Sequence, residues 1–365
     1  MEGTDDTRRM VGITLSRTPN LHEASCHNGR GAARRCLSVA SFKSLLGIFL
    51  AGVLAAMAPG VAFAKYPDKP IRMLVAYPTG GATDIVARAV ALNLGQRLGQ
   101  PIVVENRPGA GGRIGTAEAA RATPDGYTLI FAAAANHSTD PHLYENMKYD
   151  ARKGFEPVGL VGYLPVALIV TPKIPAKTVA EFIALAKQHP GNETFASFGV
   201  GSLGRLAMEL LELKTNVKLL NVPFQGAAPA ITAIMGGQVD AMMVPLTLAK
   251  SEHKAGMVRM LGMATPERFS EAPDIPTFVE QGIDLTIKPW LGILGPANMP
   301  RDVVTQLNSD LNAVLKDPKF QETLRRNDVQ IAEPSTPQQF ATFLNTEFEQ
   351  WGKIIREAGL KVEEQ

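Results

Sequence analysis

Hydrophobic residues follow two different spacings over most of the chain. A short apolar run at 71–76 is followed by a turn, and then Val86, Val90, Leu94 and Leu98 recur at every fourth position. The first pattern predicts a buried strand and the second an amphipathic helix. Because strand-like and helix-like segments keep alternating, the sequence predicts an α/β fold with parallel strands.

This alternation forms two series, and helical patterns follow the second. The chain is therefore expected to build one domain, cross into another near Val166 and return near Pro289. We predict domain 1 over residues 65–166 and 289–365 and domain 2 over 167–288, with a ligand cleft at the hinge between them. The predicted strands are 71–76, 102–105, 127–133, 193–197, 217–222 and 239–244, and the predicted helices include 114–122, 179–187, 202–213 and 227–235.

The C-terminal region predicts a helix with one apolar face. Phe340, Phe343, Phe348, Trp351 and Ile355 recur at spacings of three to five residues. Side chains at such spacings lie along one side of a helix. We expect this aromatic face to pack into a core and not to line a ligand site.

The N-terminal region has the features of an export signal. Lys43 precedes an uninterrupted apolar run at 45–57, and Ala62 and Ala64 supply the small residues of a cleavage site. The run is shorter than the roughly 20 residues that span a bilayer as a helix, which argues against a membrane anchor. We predict a leader and signal peptide over residues 1–64, cleaved after Ala64, and an exported, periplasmic protein.

Removing this leader changes what the composition implies. Both cysteines, Cys26 and Cys36, lie within it, so the exported chain is expected to have no disulfide and no thiol nucleophile. Residues 65–365 carry 30 basic and 31 acidic side chains, a balance that argues against a nucleic-acid partner. The chain also lacks H-E-x-x-H and G-x-S-x-G spacings. We therefore predict no enzymatic activity, no metal and no cofactor.

Two glycine-bearing loops are the candidate binding elements. YPTGGATD at 77–84 joins the first predicted strand to the first helix, and SFGVGS at 197–202 has the same position in the second series. Helix N-termini carry backbone donors without intrahelical partners, and glycines let a ligand approach them closely. The pair predicts an anion site shared by both domains. The simpler interpretation of the first loop is a tight turn with Thr83 or Asp84 as helix cap.

A third loop, FQGAAP at 224–229, follows the next predicted strand and opens another helix. It brings an aromatic ring, an amide and a glycine to the same sheet edge. Phe224 either stacks over a ligand or belongs to the core.

The second loop also matches a dinucleotide-binding pattern, since residues 199–204 read G-x-G-x-x-G. That pattern requires an acidic residue about 20 positions later to hold the ribose. Leu220, Asn221 and Val222 end the next predicted strand instead, so a nucleotide-dependent oxidoreductase is the less favoured alternative.

Six short segments together match one known family, and the succession of VENRPGAGG and PDGYT is their most specific feature. The segments are YPTGGATD (77–84), VENRPGAGG (104–112), PDGYT (124–128), SFGVGS (197–202), FQGAAP (224–229) and PWL (289–291). In these segments the chain resembles the tripartite tricarboxylate transporter receptors, also called the Bug family.

The resemblance implies a type II periplasmic-binding-protein fold, with two α/β domains joined by crossover strands and the ligand cleft between them. It also implies a solute-binding protein that delivers a small organic carboxylate to membrane permease subunits. The ligand could be a di- or tricarboxylate, an amino acid or an aromatic acid. We expect a monomer. A ligand-sensing receptor that docks onto a membrane signalling partner is the alternative.

In this family the glycine loops hold a ligand carboxylate, which defines the predicted site. Arg205 stands where the family commonly has histidine; facing the cleft it would favour a second carboxylate, and facing solvent it would have no specific role. The predicted ligand-binding residues are Tyr77, Thr79, Gly80, Gly81, Thr83, Asp84, Ala135, Asn136, Ser197, Phe198, Gly199, Gly201, Ser202, Arg205, Phe224, Gln225, Gly226 and Asp240.

Overall fold

The computed structural model of the protein describes residues 66–197, 202–357 and 359–360. The predicted leader, the signal peptide and its cleavage site lie outside the described residues. The same holds for residues 198–201, which form most of the second glycine loop.

The described residues alternate between strands and helices from the first strand onward. The strands are β1 (Ile71–Val75), β2 (Ile102–Asn106), β3 (Thr128–Ala133), β4 (Phe155–Tyr163), β5 (Val166–Val170), β6 (Thr194–Ser197), β7 (Leu220–Pro223), β8 (Ala241–Pro245), β9 (Arg259–Met263), β10 (Trp290–Pro296) and β11 (Gln330–Ile331). The helices are α1 (Ala82–Leu98), α2 (Arg113–Ala120), α3 (Asp140–Leu143), α4 (Val179–Gln188), α5 (Leu203–Thr215), α6 (Ala227–Met235), α7 (Lys250–Lys254), α8 (Arg301–Leu315), α9 (Pro318–Arg326) and α10 (Pro337–Glu357).

These strands form two mixed sheets, which define two lobes. The first sheet has the order β11-β4-β10-β3-β1-β2, and the second has the order β7-β6-β8-β5-β9. The predicted parallel pairing occurs in β2-β1-β3 and in β7-β6-β8. By contrast, β4, β5 and β10 pair antiparallel with their neighbours. The predicted α/β class is therefore confirmed, although the strands are not all parallel.

The chain passes between the lobes at one edge of each sheet. It leaves the first sheet at Tyr163, at the end of β4, and enters the second at Val166. In the first sheet Leu291 of the returning β10 lies opposite Ala133, the last residue of β3. In the second sheet Val166 lies opposite Pro245, the last residue of β8. The carboxyl ends of the parallel strands in both sheets therefore lie at the edges where the chain crosses.

The predicted domain boundaries stay a prediction, because contacts between the lobes join the described residues into one continuous unit. Helix α10 makes part of this connection. Its Phe340 is 1% exposed and belongs to the buried cluster around Trp290 of the first lobe. Trp351 and Ile355 of the same helix belong to the buried cluster of the second lobe. The prediction that these three side chains pack into a core is confirmed.

No helix among the described residues is long and apolar enough to cross a bilayer.

Replacing Trp351 with alanine tests the role of α10 as a connection between the lobes. Trp351 is 6% exposed, so we expect Trp351→Ala to lower the free energy of unfolding by about 3–5 kcal/mol in a denaturant titration. Lys353→Ala is the matched control, since that side chain is 73% exposed on the same helix, and it should change stability by less than about 0.5 kcal/mol. Equal losses in the two variants would contradict the packing described here.

Candidate functional site

The loops that follow the parallel strands lie at the crossing edge of each sheet. In open α/β sheets this is the side on which ligands bind. The first lobe contributes the loops after β1 and β3, and the second contributes the loops after β6, β7 and β8. These loops form the candidate site. Except for Asp240, the predicted residues that the structure describes lie in these loops, in the last residue of the preceding strand or in the first turn of the following helix.

The first glycine loop leaves the N-terminus of α1 without a side-chain cap. Gly81 is the N-cap residue, and no side chain accepts a hydrogen bond from the first turn. The backbone N–H groups of Ala82 and Thr83 therefore have no partner inside the helix. Gly80 has a φ of +82° with open space where a side chain would point. The alternative with Thr83 or Asp84 as helix cap is wrong.

The buried carboxylate of Asp84 stabilises the first glycine loop through hydrogen bonds. It is 1% exposed and accepts hydrogen bonds from the Gly80 N–H (2.9 Å), Arg88 Nε (3.0 Å) and Asn106 Nδ2 (2.8 Å). Burial raises the pKa of this carboxyl, but the hydrogen bonds and the charge of Arg88 outweigh burial and lower the pKa. Asp84 is therefore an ionised residue whose oxygens are used within the lobe, and its predicted ligand contact stays a prediction.

Asn106, at the end of β2, was missed by sequence reasoning. Its Nδ2 donates to the Tyr77 carbonyl at 3.0 Å as well as to Asp84. Its Oδ1 accepts from Thr79 Oγ1 at 3.0 Å and from Arg88 Nη2 at 2.8 Å. One amide therefore fixes the whole first loop. The available signal was its position inside VENRPGAGG, directly after a strand that ends at the ligand-binding edge.

The loop after β3 is joined to the first loop by a second amide. Asn136 is 1% exposed; its Oδ1 accepts from the Tyr77 hydroxyl at 2.8 Å, and its Nδ2 donates to Asp140 Oδ2 and to the Gly111 carbonyl, each at 2.9 Å. Ala135 precedes it in a single turn of π-helix, Ala135–Thr139. The structure thus brings Tyr77 and Asn136 together, as positioning groups for the loops.

Asp140 is the most perturbed carboxyl of this cluster. Burial raises its pKa to about 7, although the hydrogen bond from Asn136 and the charge of Arg113 act to lower it. Tyr77 and Tyr149 lie close enough for the Asp140 charge to raise their pKa values, in addition to the larger effect of burial. Asp140 therefore carries a proton over part of the neutral pH range.

In the second lobe, Ser197 ends β6 with its hydroxyl unsatisfied. The side chain is fully buried, and its Oγ has no hydrogen-bond partner among the described residues. Phe198, Gly199 and Gly201 lie outside the described residues. Ser202 is the N-cap of α5 and accepts from the Arg205 N–H at 3.4 Å.

Arg205 already has a counter-ion. Its Nε donates to Glu209 Oε1 at 2.7 Å, one turn further along α5. Burial raises the pKa of Glu209, although Arg205 lowers it. Arg205 therefore already has a compensating charge on its own helix, and its predicted ligand contact stays a prediction.

The third loop is packed against the second-lobe core on one side and open on the other. The Phe224 N–H donates to the Ser197 carbonyl at 2.8 Å, and its half-buried ring packs against the core. Gln225 is exposed, and Gly226 begins α6 with a φ of +116° and no side-chain cap. This loop therefore offers a second uncapped helix N-terminus.

Asp240 is not brought together with the other predicted residues. It precedes β8, and Thr194, at the start of the neighbouring parallel strand, donates to Asp240 Oδ2 through its N–H (2.8 Å) and its hydroxyl (2.7 Å). Amino ends of parallel strands lie at the edge opposite to the carboxyl ends. Asp240 therefore ties two strand starts together, and its predicted ligand contact stays a prediction.

A cavity of about 130 Å³ lies between α5, α10 and the segment leading into β10. Its lining includes Leu210, Lys288, Glu347 and Trp351 but no residue of the glycine loops. Within the described ranges, no group of three or more His, Cys, Asp or Glu residues is arranged to hold a metal ion.

Comparison with known proteins decides the family. Residues 86–360 match the model of the tripartite tricarboxylate transporter family receptor. The chain belongs to this receptor family. A curated relative, protein BugT of Bordetella pertussis, is 33% identical over 323 residues, which cover 87% of this chain and 98% of BugT. The resemblance seen in the sequence is confirmed.

Solved structures with the same fold include three informative ones. The periplasmic binding protein BugD is 34% identical to the receptor, with a TM-score of 0.73 over 81% of this chain and 100% of BugD. Rpa4515 of R. palustris, solved with adipate, is 30% identical, with a TM-score of 0.76 over 81% and 100%. MatC from Rhodopseudomonas palustris, solved with malate, is 31% identical, with a TM-score of 0.72 over 80% and 100%. The predicted periplasmic-binding-protein fold is confirmed.

The receptor's first loop should loosen when Asn106 is replaced. We expect Asn106→Ala to lower the free energy of unfolding by about 1–3 kcal/mol, since the buried carboxylate of Asp84 loses a hydrogen-bond donor. Hydrogen exchange of a peptide covering 77–84 should become faster. Asn93→Ala is the control, because Asn93 makes one bond within α1, to the Ala89 carbonyl; unchanged exchange at 77–84 in Asn106→Ala would contradict the assigned role.

The receptor's stability should depend on pH through Asp140. Because its folded-state pKa is raised from 3.8 to about 7, the folded chain holds this proton more tightly than the unfolded chain, and the group lowers stability progressively as pH rises from about 4 to about 7. Asp140→Asn should raise the free energy of unfolding at pH 8 by up to a few kcal/mol and leave it unchanged at pH 4. The groups whose charges interact with Asp140, namely Arg113, Tyr77 and Tyr149, are the same in the wild type and in Asp140→Asn, so the difference between the two pH profiles reports on Asp140. Exposed Asp274 supplies the control variant Asp274→Asn; matching pH profiles for the two variants would refute the assignment.

Proposed function

We propose that this receptor captures a small organic carboxylate between its two lobes and delivers it to the membrane permease subunits of a tripartite transporter. The observation that carries the proposal is the uncapped N-terminus of α1 at the crossing edge of the first sheet. The buried hydroxyl of Ser197, which has no partner in the part of the chain that the structure describes, supports it from the corresponding edge of the second sheet.

The chemistry of the first loop suits an anion. Unpaired N–H groups and the positive end of the helix dipole attract negative charge, and a carboxylate accepts from two such donors. Asp84 does not compete, because its oxygens already accept from Gly80, Arg88 and Asn106. The absence of a side chain at Gly80 leaves the approach open.

Two solved relatives support the ligand class. Rpa4515 was solved with adipate and MatC with malate, and each is about as similar to this chain as the curated relative BugT. Both ligands are small carboxylates. We assign the same class to this receptor, with the first carboxylate at the N-terminus of α1.

Binding is expected to close the lobes. Donors from both lobes contact one small ligand only when the crossing edges approach each other, so the ligand shifts the population toward the closed state. The closed form is then the species that the permease recognises. Delivery requires no bond to be made or broken, in agreement with a receptor that acts in the periplasm as a monomer without catalysis.

Binding is tested by thermal shift and calorimetry on the purified receptor. The panel contains mono-, di- and tricarboxylates, amino acids and aromatic acids. A ligand at 100 times its Kd should stabilise the folded state by about 2.7 kcal/mol. A panel in which no acid changes the melting temperature would refute the proposal.

A helix-cap variant tests the location of the site. Gly81 has ordinary extended backbone angles and room for a side chain, so Gly81→Asp would place a carboxylate on the N–H groups of α1. We expect it to stabilise the fold by only a few tenths of a kcal/mol, because glycine is itself a tolerated N-cap, while weakening ligand binding at least about tenfold, because ligand and cap compete for the same donors. Gly81→Ala is the control and should retain binding. Equal affinities of Gly81→Asp and the wild type would place the carboxylate elsewhere.

A further inference from the structure

Arg113 is an arginine without a counter-ion beside the site. It is the first residue of α2, is half-buried, and its guanidinium carbon lies 3.4 Å from the centre of the Tyr144 ring. No carboxylate of a described residue pairs with it within 4 Å. By contrast, Arg72, Arg88 and Arg107 in the same lobe all form such pairs.

Close packing places Arg113 next to the loops of the site. The preceding residue, Gly112, has a φ of +98°, and a side chain there would lie 2.7 Å from Asn136 Oδ1. Asn136 in turn accepts from the Tyr77 hydroxyl at the start of the first glycine loop. Helix α2 therefore begins directly against the side chain that connects the two loops of the first lobe.

The ring under the guanidinium belongs to the contact between the lobes. Tyr144 packs against the buried cluster of the second lobe, to which α5 contributes Leu206 and Leu210. Leu203, the first residue of α5, packs against the cores of both lobes. Arg113 is therefore stacked on a first-lobe ring that packs against the core of the second lobe.

The stacked geometry leaves Arg113 able to bind an acid. Stacking uses the face of the guanidinium, and its N–H donors point outward in the plane, where a carboxylate can accept two of them. Asp140 is the acidic group whose pKa the charge of Arg113 lowers. Its Oδ2 already accepts a hydrogen bond from Asn136, however, and burial raises its pKa by more than Arg113 lowers it. Neither Asp140 nor Tyr149 neutralises the guanidinium through an ion pair.

We infer that Arg113 binds a second acidic group of the ligand, so that the receptor selects diacids over monoacids of the same chain length. The inference rests on the proposed function, in which the first carboxylate occupies the N-terminus of α1. It transfers to Arg113 the role that the sequence suggested for Arg205, which Glu209 neutralises.

Calorimetry with matched acids tests the inference: succinate against butyrate, glutarate against valerate, and adipate against hexanoate. For the wild type, we expect at least one diacid to bind ten times or more tightly than its monoacid. Arg113→Gln should weaken that diacid about 10- to 100-fold and change monoacid binding less than about twofold. Arg113→Lys keeps the charge but lacks the planar pair of donors. Its affinity for the diacid should lie between those of the wild type and Arg113→Gln.

Arg121→Gln is the matched control. Arg121 follows the other end of α2, and among the described residues its side chain donates to the Lys148 carbonyl alone, at 3.3 Å, so its loss should leave the binding of both kinds of acid unaffected. Melting temperatures of the free variants identify any loss of folding, in which case Arg113→Lys decides the question alone.

Each outcome separates the inference from the proposed function. A wild type that binds no acid of any pair overturns the inference alone, and only failure of the wider panel of carboxylates, amino acids and aromatic acids overturns the proposed function with it. A wild type that binds monoacids as tightly as diacids, or an Arg113→Gln variant that weakens both kinds equally or neither, overturns the inference alone.

Discussion

The two chain crossings are the constraint on which the site depends. Strands β4 and β10 run side by side and antiparallel, and Trp290 pairs with Tyr163 at the crossing edge of the first sheet. The carboxyl ends of β3 and β8 are held at these same edges. Loops that are distant in the sequence therefore face one another, and a ligand between the lobes can contact both.

Inside the first lobe, the polar side chains of the site bind one another and leave the backbone free. Asn106 and Asn136 fix the loops, and Asp84 accepts from the Gly80 N–H. Because these side chains hydrogen-bond to one another, none of them caps α1. The backbone N–H groups of the first turn of α1 therefore remain available to a ligand. A loop fixed in this way requires little reorganisation to accept the anion that we propose it binds.

The distribution of counter-ions decides which cations can act on a ligand. Arg88 is paired with Asp84, and Arg205 with Glu209, so neither contributes an isolated charge. Arg113 is held by an aromatic ring instead, and stacking does not neutralise it. A half-buried cation of this kind attracts a carboxylate more strongly than an ion-paired one, because no existing pair must be broken.

The sequence by itself determined the local elements and the family, because helix periodicity, strand runs and turn glycines depend on residues close together in the chain. The ion pair of Arg205 with Glu209 was also readable, four positions apart on one helix. Only the tertiary structure decided the crossing strands, the amide contacts of Asn106 and the burial of His137, which is 4% exposed beneath Trp290. These features join segments separated by tens to more than a hundred residues, so local patterns carry no signal for them.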